Sequence, residues 1–462
     1  MRDPRERRRP RRLLWVVVLA ALGFAALATF RAGVAPSAVI EPGLPGIGRA
    51  TPIAVELSAG GRGLGAARVE LAQGARVVTL AEKEYRSRPP WAFWGSRVTA
   101  DRLELVAGSN SIDGLEEGEA IVRVEARAPG TWLRSPPPTV VETRLPVLLR
   151  PPSLFVTSSQ HYPTQGGVEA VVYRVGETAT TSGVRIGEKL FPGSPLPGGG
   201  DHDRLALFAV PFDHEDASTI RVEASDPLGN TARVPFVDRF LRRAYENDDI
   251  RVSRNFMAKV VPEILARTPR LEDRGDLVEN YVAINRGLRR ENDEVLVELA
   301  MASPDEFLWS EVFVAMPNAQ VMSAFADRRT YYHEGVEIDR QDHLGFDLAS
   351  VRQAEVPAAN SGRVVLAEYL GIYGNTVVID HGFGLLSLYG HLSELAVSAG
   401  QPVRRGEIVG RTGETGLAAG DHLHFTMLLR GEAVNPVEWW DAGWIRDRLK
   451  RKLGPALPFG AG

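Results

Sequence analysis

There is no cysteine among the 462 residues. Its absence excludes disulfide bonds, thiol catalysis, cysteine-ligated zinc and lipid attachment through an N-terminal cysteine. Any metal site must therefore use nitrogen and oxygen ligands. An excess of positive charge is missing too: 54 Lys and Arg stand against 58 Asp and Glu, a net charge of -4. Seven of the arginines lie within residues 1–12, so the rest of the chain is more acidic than the total suggests, which argues against nucleic acid as a partner. Charge vanishes altogether from Leu13 to Phe30, before Arg31. That run is long enough to span a membrane. The arginines ahead of it place 1–12 in the cytoplasm as a basic segment and export the remainder of the chain, by the positive-inside bias. We read 13–30 as a retained transmembrane anchor, with the C-terminal part in the periplasm of an inner-membrane protein. A cleaved signal peptide is the rival, since Ala26-Leu-Ala28 and Gly33-Val-Ala35 are small-residue sites.

Histidine is what the sequence offers instead of cysteine. His343-Leu-Gly-Phe-Asp347 and, further on, His422-Leu-His424 supply imidazoles and one carboxylate at spacings that suit zinc. A catalytic zinc takes three protein ligands and leaves a position for water. His343 and Asp347 share a face in a helix or in an extended segment, because positions i and i+4 coincide in both periods. Gly345 between them favours the extended form. His422 and His424 lie two apart in a strand-like run and so point the same way, one free to ligate while the other addresses the substrate. A third element, Leu388-Tyr-Gly-His391-Leu392, lies between the two. His333 and His381 read as hydrogen-bonded structural groups, and His161, His202 and His214 carry no recognisable spacing.

These segments resemble the lysostaphin/LytM-type zinc metallopeptidases, the endopeptidases that cut peptidoglycan cross-bridges. The resemblance covers 317–441. It rests on His343-Leu-Gly-Phe-Asp347, Val356-Pro-Ala, Ser361-Gly-Arg-Val-Val, Tyr373-Gly-Asn-Thr-Val-Val-Ile-Asp-His381, Tyr389-Gly-His-Leu392, Gly400-Gln-Pro-Val, Gly406-Glu-Ile-Val-Gly410, Asp421-His-Leu-His-Phe425 and Val434-Asn-Pro436, in that order. It implies one zinc ion held by His343, Asp347 and His424. His391 and His422 are then left as unligated catalytic histidines, one a general base and the other an oxyanion stabiliser in either order. Thr426 departs from the pattern, since many relatives carry Glu there. The implied fold is an open antiparallel sheet with the site in a groove across it.

The fold class is mainly β. Arg363-Val-Val-Leu-Ala, Thr376-Val-Val-Ile, Leu385-Leu-Ser-Leu-Tyr and His424-Phe-Thr-Met-Leu are short β-branched or apolar runs between glycine-rich turns. Upstream, Ile121-Val-Arg-Val-Glu-Ala and Ile220-Arg-Val-Glu-Ala echo each other, each followed by a second strand-like run. Their offset of about one hundred residues is the size of an immunoglobulin-like β-sandwich, so we expect two such modules, 45–150 and 151–240. A helical connector follows over 241–305. Leu277, Tyr281, Ile284 and Leu288 recur at helical spacing after an N-cap at Asp276, and another helix covers about Ser253 to Leu265. The connector either packs on its neighbours or covers the groove. The peptidase domain then spans 306–445, with a C-terminal tail over 446–462.

Two functions suit this sequence. One is a zinc endopeptidase that hydrolyses peptide cross-links between peptidoglycan stems outside the cytoplasmic membrane. The other is a non-cutting wall-binding or amidase-activating protein of the same fold. Loss of ligand positions marks the non-cutting kind, and none of the three is lost here. A protein regulator of unknown identity fits either.

Overall fold

The computed structural model describes residues 8–92 and 94–458. Strands dominate, and the chain divides into two compact units. One runs to Pro152 and includes Ser225–Thr231; the other is Ser153–Ala224 with Ala232 onward.

In the first unit the helix Arg8–Phe30 contains the uncharged run, with Leu13, Trp15, Val16 and Leu19 all exposed. Its apolar stretch Leu13–Phe30, 18 residues with a mean hydropathy of 2.5, has the length and composition to cross a bilayer. After it come two sheets. Ser37–Pro42, Thr51–Ser58 and Ala100–Ala107 form one; Arg76–Glu84, Ala66–Gln73, Gly118–Arg127 and Thr139–Val147 form the other, in those orders. Burial alternates along Thr51–Ser58 and Gly118–Arg127, as it must where one face of each sheet meets a core and the other meets water. Ile53, Val55 and Leu57 from the first sheet share that core with Val69, Leu71, Val122 and Val124 from the second. The module begins before residue 45, because Ser37–Pro42 pairs with Thr51–Ser58 along its whole length.

The second unit holds further β structure, the helices and the histidine motifs. Its largest sheet runs in the order Gln320–Ser323, Phe346–Ala349, Leu423–Leu429, Leu385–Leu392, Asn375–Asp380, Gly362–Tyr369 and Pro402–Val403. Every residue of Leu385–Leu392 and Leu423–Leu429 is buried. The reason is cover on both faces. Ile379, Tyr389, Phe425 and Met427 pack with Trp309, Trp439 and Leu449, whereas Val378, Leu386, Leu388 and Leu428 pack with Met257, Ile264, Tyr281, Ile284 and Leu288 from the helices. The sheet expected to be open is therefore roofed at its centre.

Ser253 caps the helix Arg254–Arg267, and Asp276 caps Leu277–Val282, which passes through a π-helical turn, Ala283–Leu288, into the helix Arg289–Met301. The helical stretch is more than a connector: Asn247–Arg251 precedes it as a strand and pairs in parallel with Asp327–His333. Its sequence, Asn-Asp-Asp-Ile-Arg, hides that strand behind charge. At the other end Leu449 and Leu453 of the expected tail are buried, with Ile445 just before it, in the same core as Trp439.

Candidate metal centre

Four strands meet at the histidines. His343 ends the strand Val336–His343, and after a bend at Gly345 the chain resumes as Phe346–Ala349, which puts Asp347 directly opposite His424. The bend needs glycine for room. A Cβ at Gly345 would stand 2.7 Å from the His424 ring and 2.6 Å from the Thr426 hydroxyl. His422 lies just ahead of the strand Leu423–Leu429, bridged to Gly413. His391 enters from Leu385–Leu392 through a β-bulge, where Gly390 and His391 together oppose Thr376. Its φ of 63 lies in the left-handed region, which a non-glycine residue occupies at a cost of about 1–2 kcal/mol, and such bulges re-aim side chains near sites.

His343 Nε2, His424 Nδ1 and Asp347 Oδ1 form a small triangle with sides of 3.0, 3.0 and 3.1 Å. The opposite edges of the rings decide what these atoms are. His343 Nδ1 donates to the Ala324 carbonyl at 2.9 Å, so its Nε2 carries the lone pair. Thr426 donates its hydroxyl proton to the Leu344 carbonyl at 2.9 Å and accepts from His424 Nε2 at 3.0 Å, so His424 Nδ1 carries the lone pair there. Burial drives His424 down to about 4, which keeps the ring neutral at ordinary pH. Burial works to raise the Asp347 carboxyl, but the charge and hydrogen bonds of the histidines hold it well below its usual range. In the tautomers that the outer partners fix, two lone pairs and a carboxylate converge on one point, where a cation would replace the protons that the imidazoles otherwise share with Asp347. That arrangement suits a cation: ligand atoms at ~2.0–2.1 Å around a tetrahedral zinc stand about 3.3–3.4 Å apart, close to the observed triangle. A partly buried Arg329 holds the other carboxylate oxygen at 2.9 Å and is itself steadied by Ser323 at 2.8 Å.

His391 and His422 flank this triangle with ring centroids 4.8 Å apart. Each has its Nδ1 committed to a carbonyl, Thr415 at 2.9 Å and Gly420 at 2.7 Å, which leaves Nε2 to face the centre. Burial, then the nearby His422 and His424, lowers His391 well below its ordinary value. Burial also pulls on His422, but Asp347 outweighs it and raises that ring. All five residues line one cavity of about 820 Å³, together with Phe256 and Lys259 from the helical stretch.

His333 and His381 lie elsewhere. His333 bonds the Val252 carbonyl at 2.8 Å, and His381, fully buried, bridges the Ser361 carbonyl and the Ser387 hydroxyl, each at 2.8 Å. Sequence reading did not find Arg329, which no spacing marks. It noticed Thr426 only as a departure, although a hydroxyl two residues beyond His424 on one strand face was a readable signal for a ring partner.

Residues 341–436, which contain all five of these side chains, match the family model described as Peptidase family M23. This stretch is a peptidase M23 domain. Across 95 residues the chain is 40% identical to the DD-carboxypeptidase/endopeptidase Mpg of Neisseria meningitidis serogroup B, covering 21% of this chain and 22% of that protein. The Murein hydrolase activator EnvC of Escherichia coli is 39% identical over 95 residues, 21% and 23% of the two chains. The chain therefore aligns with under a quarter of either relative's length. Among solved structures, the catalytic domain of the antimicrobial peptidase lysostaphin from Staphylococcus simulans covers 31% of this chain and 96% of its own, at 22% identity and a TM-score of 0.20.

Proposed function

We propose that this chain is a zinc-dependent endopeptidase that hydrolyses peptide cross-links of peptidoglycan outside the cytoplasmic membrane. The observation that carries the reading is the convergence of two carbonyl- or hydroxyl-fixed imidazole lone pairs and one carboxylate oxygen, with two further imidazoles facing the same point. His343, Asp347 and His424 would hold the metal. Zinc there would supply an acidified water and a Lewis acid for the scissile carbonyl. His391 and His422, with Nδ1 tied to carbonyls, present Nε2 to the substrate side. One takes the proton from the attacking water and passes it to the leaving amine, and the other, when protonated, steadies the oxyanion. Asp347, gripped by Arg329 through Oδ2, keeps Oδ1 turned to His343 and His424, as a ligand role would need.

The relatives include a DD-carboxypeptidase/endopeptidase and a murein hydrolase activator at nearly the same identity. The complete donor set favours cutting, since a binding protein has no use for two unligated imidazoles beside a metal triangle. We read the apolar helix Arg8–Phe30 as a retained anchor, which supports a periplasmic reaction, and the upstream paired sheets as immunoglobulin-like modules. Isolated peptidoglycan sacculi incubated with the full chain should release new peptide ends by mass spectrometry. Release should stop with chelator and return with zinc. Release untouched by chelator would remove the metal from the account.

A further inference from the structure

One wall of the cavity that holds the histidines comes from outside the M23 stretch: Phe256, Tyr281 and Arg289 precede residue 341. Four basic side chains line the cavity, Arg251, Lys259, Arg289 and Arg329, against the carboxylates of Asp248 and Asp347. Three of the four are accounted for. Arg329 is paired with Asp347 at 2.9 Å, Lys259 with Glu414 at 2.6 Å, and Arg251 is exposed to solvent.

Arg289 differs from these. It is half-buried, and its partners are neutral: Nε donates to the Asn285 carbonyl at 3.0 Å and one Nη to Asn285 Oδ1 at 2.7 Å. Among the described residues it forms no ion pair within 4.0 Å. A guanidinium drawn partly out of water with no carboxylate in contact is a costly arrangement unless a ligand completes it. Its aim is also fixed. Asn285 is fully buried in the π-helical turn Ala283–Leu288, where its amide donates to Asp339 Oδ2 at 2.9 Å while its oxygen holds Arg289. Single π-turns within helices recur at functional sites. Asp293, one turn on, feels the charge of Arg289 but makes no ion pair with it, so it offsets that charge only in part. Burial raises its carboxyl, and its oxygen receives the Tyr373 hydroxyl at 3.2 Å.

We propose that Arg289 binds a free carboxylate of the peptide substrate, using the N–H donors that Asn285 leaves unused. The apolar neighbours Phe256, Tyr281 and Tyr331 line the same cavity and strengthen a charge-assisted bond there by excluding water. The substrate class is then a wall peptide with an unamidated carboxylate close to the scissile bond. This rests on the peptidase reading only for the ligand's being a peptide.

The test uses two cross-linked disaccharide-peptide dimers, identical except that one has free carboxylates and the other carboxamides. Binding to the detergent-solubilised full chain is measured by calorimetry, with and without chelator. Wild type should bind the carboxylate dimer roughly ten- to a hundredfold more tightly in both metal states. Arg289→Ala should bind both dimers alike, and Arg289→Gln, which can keep a bond to Asn285, should do the same if the alanine variant fails to fold. Equal binding by wild type, or a carboxylate preference that survives in either variant, overturns the proposal. Zinc-loaded wild type that shows the preference but cleaves neither dimer contradicts the peptidase reading and leaves this one standing. Equal binding with cleavage of both does the reverse.

Discussion

Gly345 and Thr426 shape the proposed metal site without supplying a ligand atom to it. The glycine admits the His424 ring at a distance no side chain would allow, and the threonine hydroxyl fixes which nitrogen of that ring points inward. Partners of this kind are worth about 10- to 100-fold in metal affinity. Gly345→Ala and Thr426→Val should each weaken zinc by that factor in competition with a chromophoric chelator, and affinity unchanged in both would mean that the ring is held by something else. His381 makes a different prediction. Burial depresses it from 6.5 to about 4, so the folded state keeps it neutral while the unfolded chain protonates first. Its contribution is therefore complete above pH 6.5 and is lost as pH falls toward 4, by about 3 kcal/mol. Urea midpoints of wild type and His381→Gln should converge as pH drops through this window. A gap that stays constant from pH 7.5 to 4.5 would contradict it.

At the scale of elements, the helices matter most. Leu288, Ile284 and Met257 share a core with Leu386, Leu388 and Leu428 of the central sheet, so the segment read as a connector is half of that sheet's cover. Leu288→Ala should cost about 2–5 kcal/mol in urea unfolding and loosen the histidine strand with the helices. A loss under 0.5 kcal/mol would mean the helices fold apart from the sheet. Helix starts at Ser253 and Asp276 were legible because capping chemistry is local, with Asp276 accepting from Val278 and Glu279. Asn247–Arg251 was not legible, because a strand held by a distant partner carries no apolar alternation when its side chains are charged. The doubly covered strands showed continuous apolar runs, and those runs were the sign that the sheet was not open.

On the scale of the whole molecule, the sequence made the five motif residues readable, and the structure brings them to one cavity. Motif spacing encodes what a strand repeats; it does not encode Arg329 and Arg289, which reach the cavity from another strand and from the start of a helix, or Asn285, which holds Arg289 from the π-turn. The apolar N-terminal helix and the M23 domain sit at opposite ends of the chain, separated by some three hundred residues that include two pairs of sheets. The most direct test of the account measures zinc content and peptide release together in the full chain and two variants. Wild type should carry one zinc and open cross-links. His391→Ala should keep the zinc and lose at least about a hundredfold in rate, as removal of a general acid–base or oxyanion group does. His424→Ala should lose both. Wild type that holds zinc yet releases no peptide from any wall preparation, or His424→Ala that remains active, would contradict the central claim.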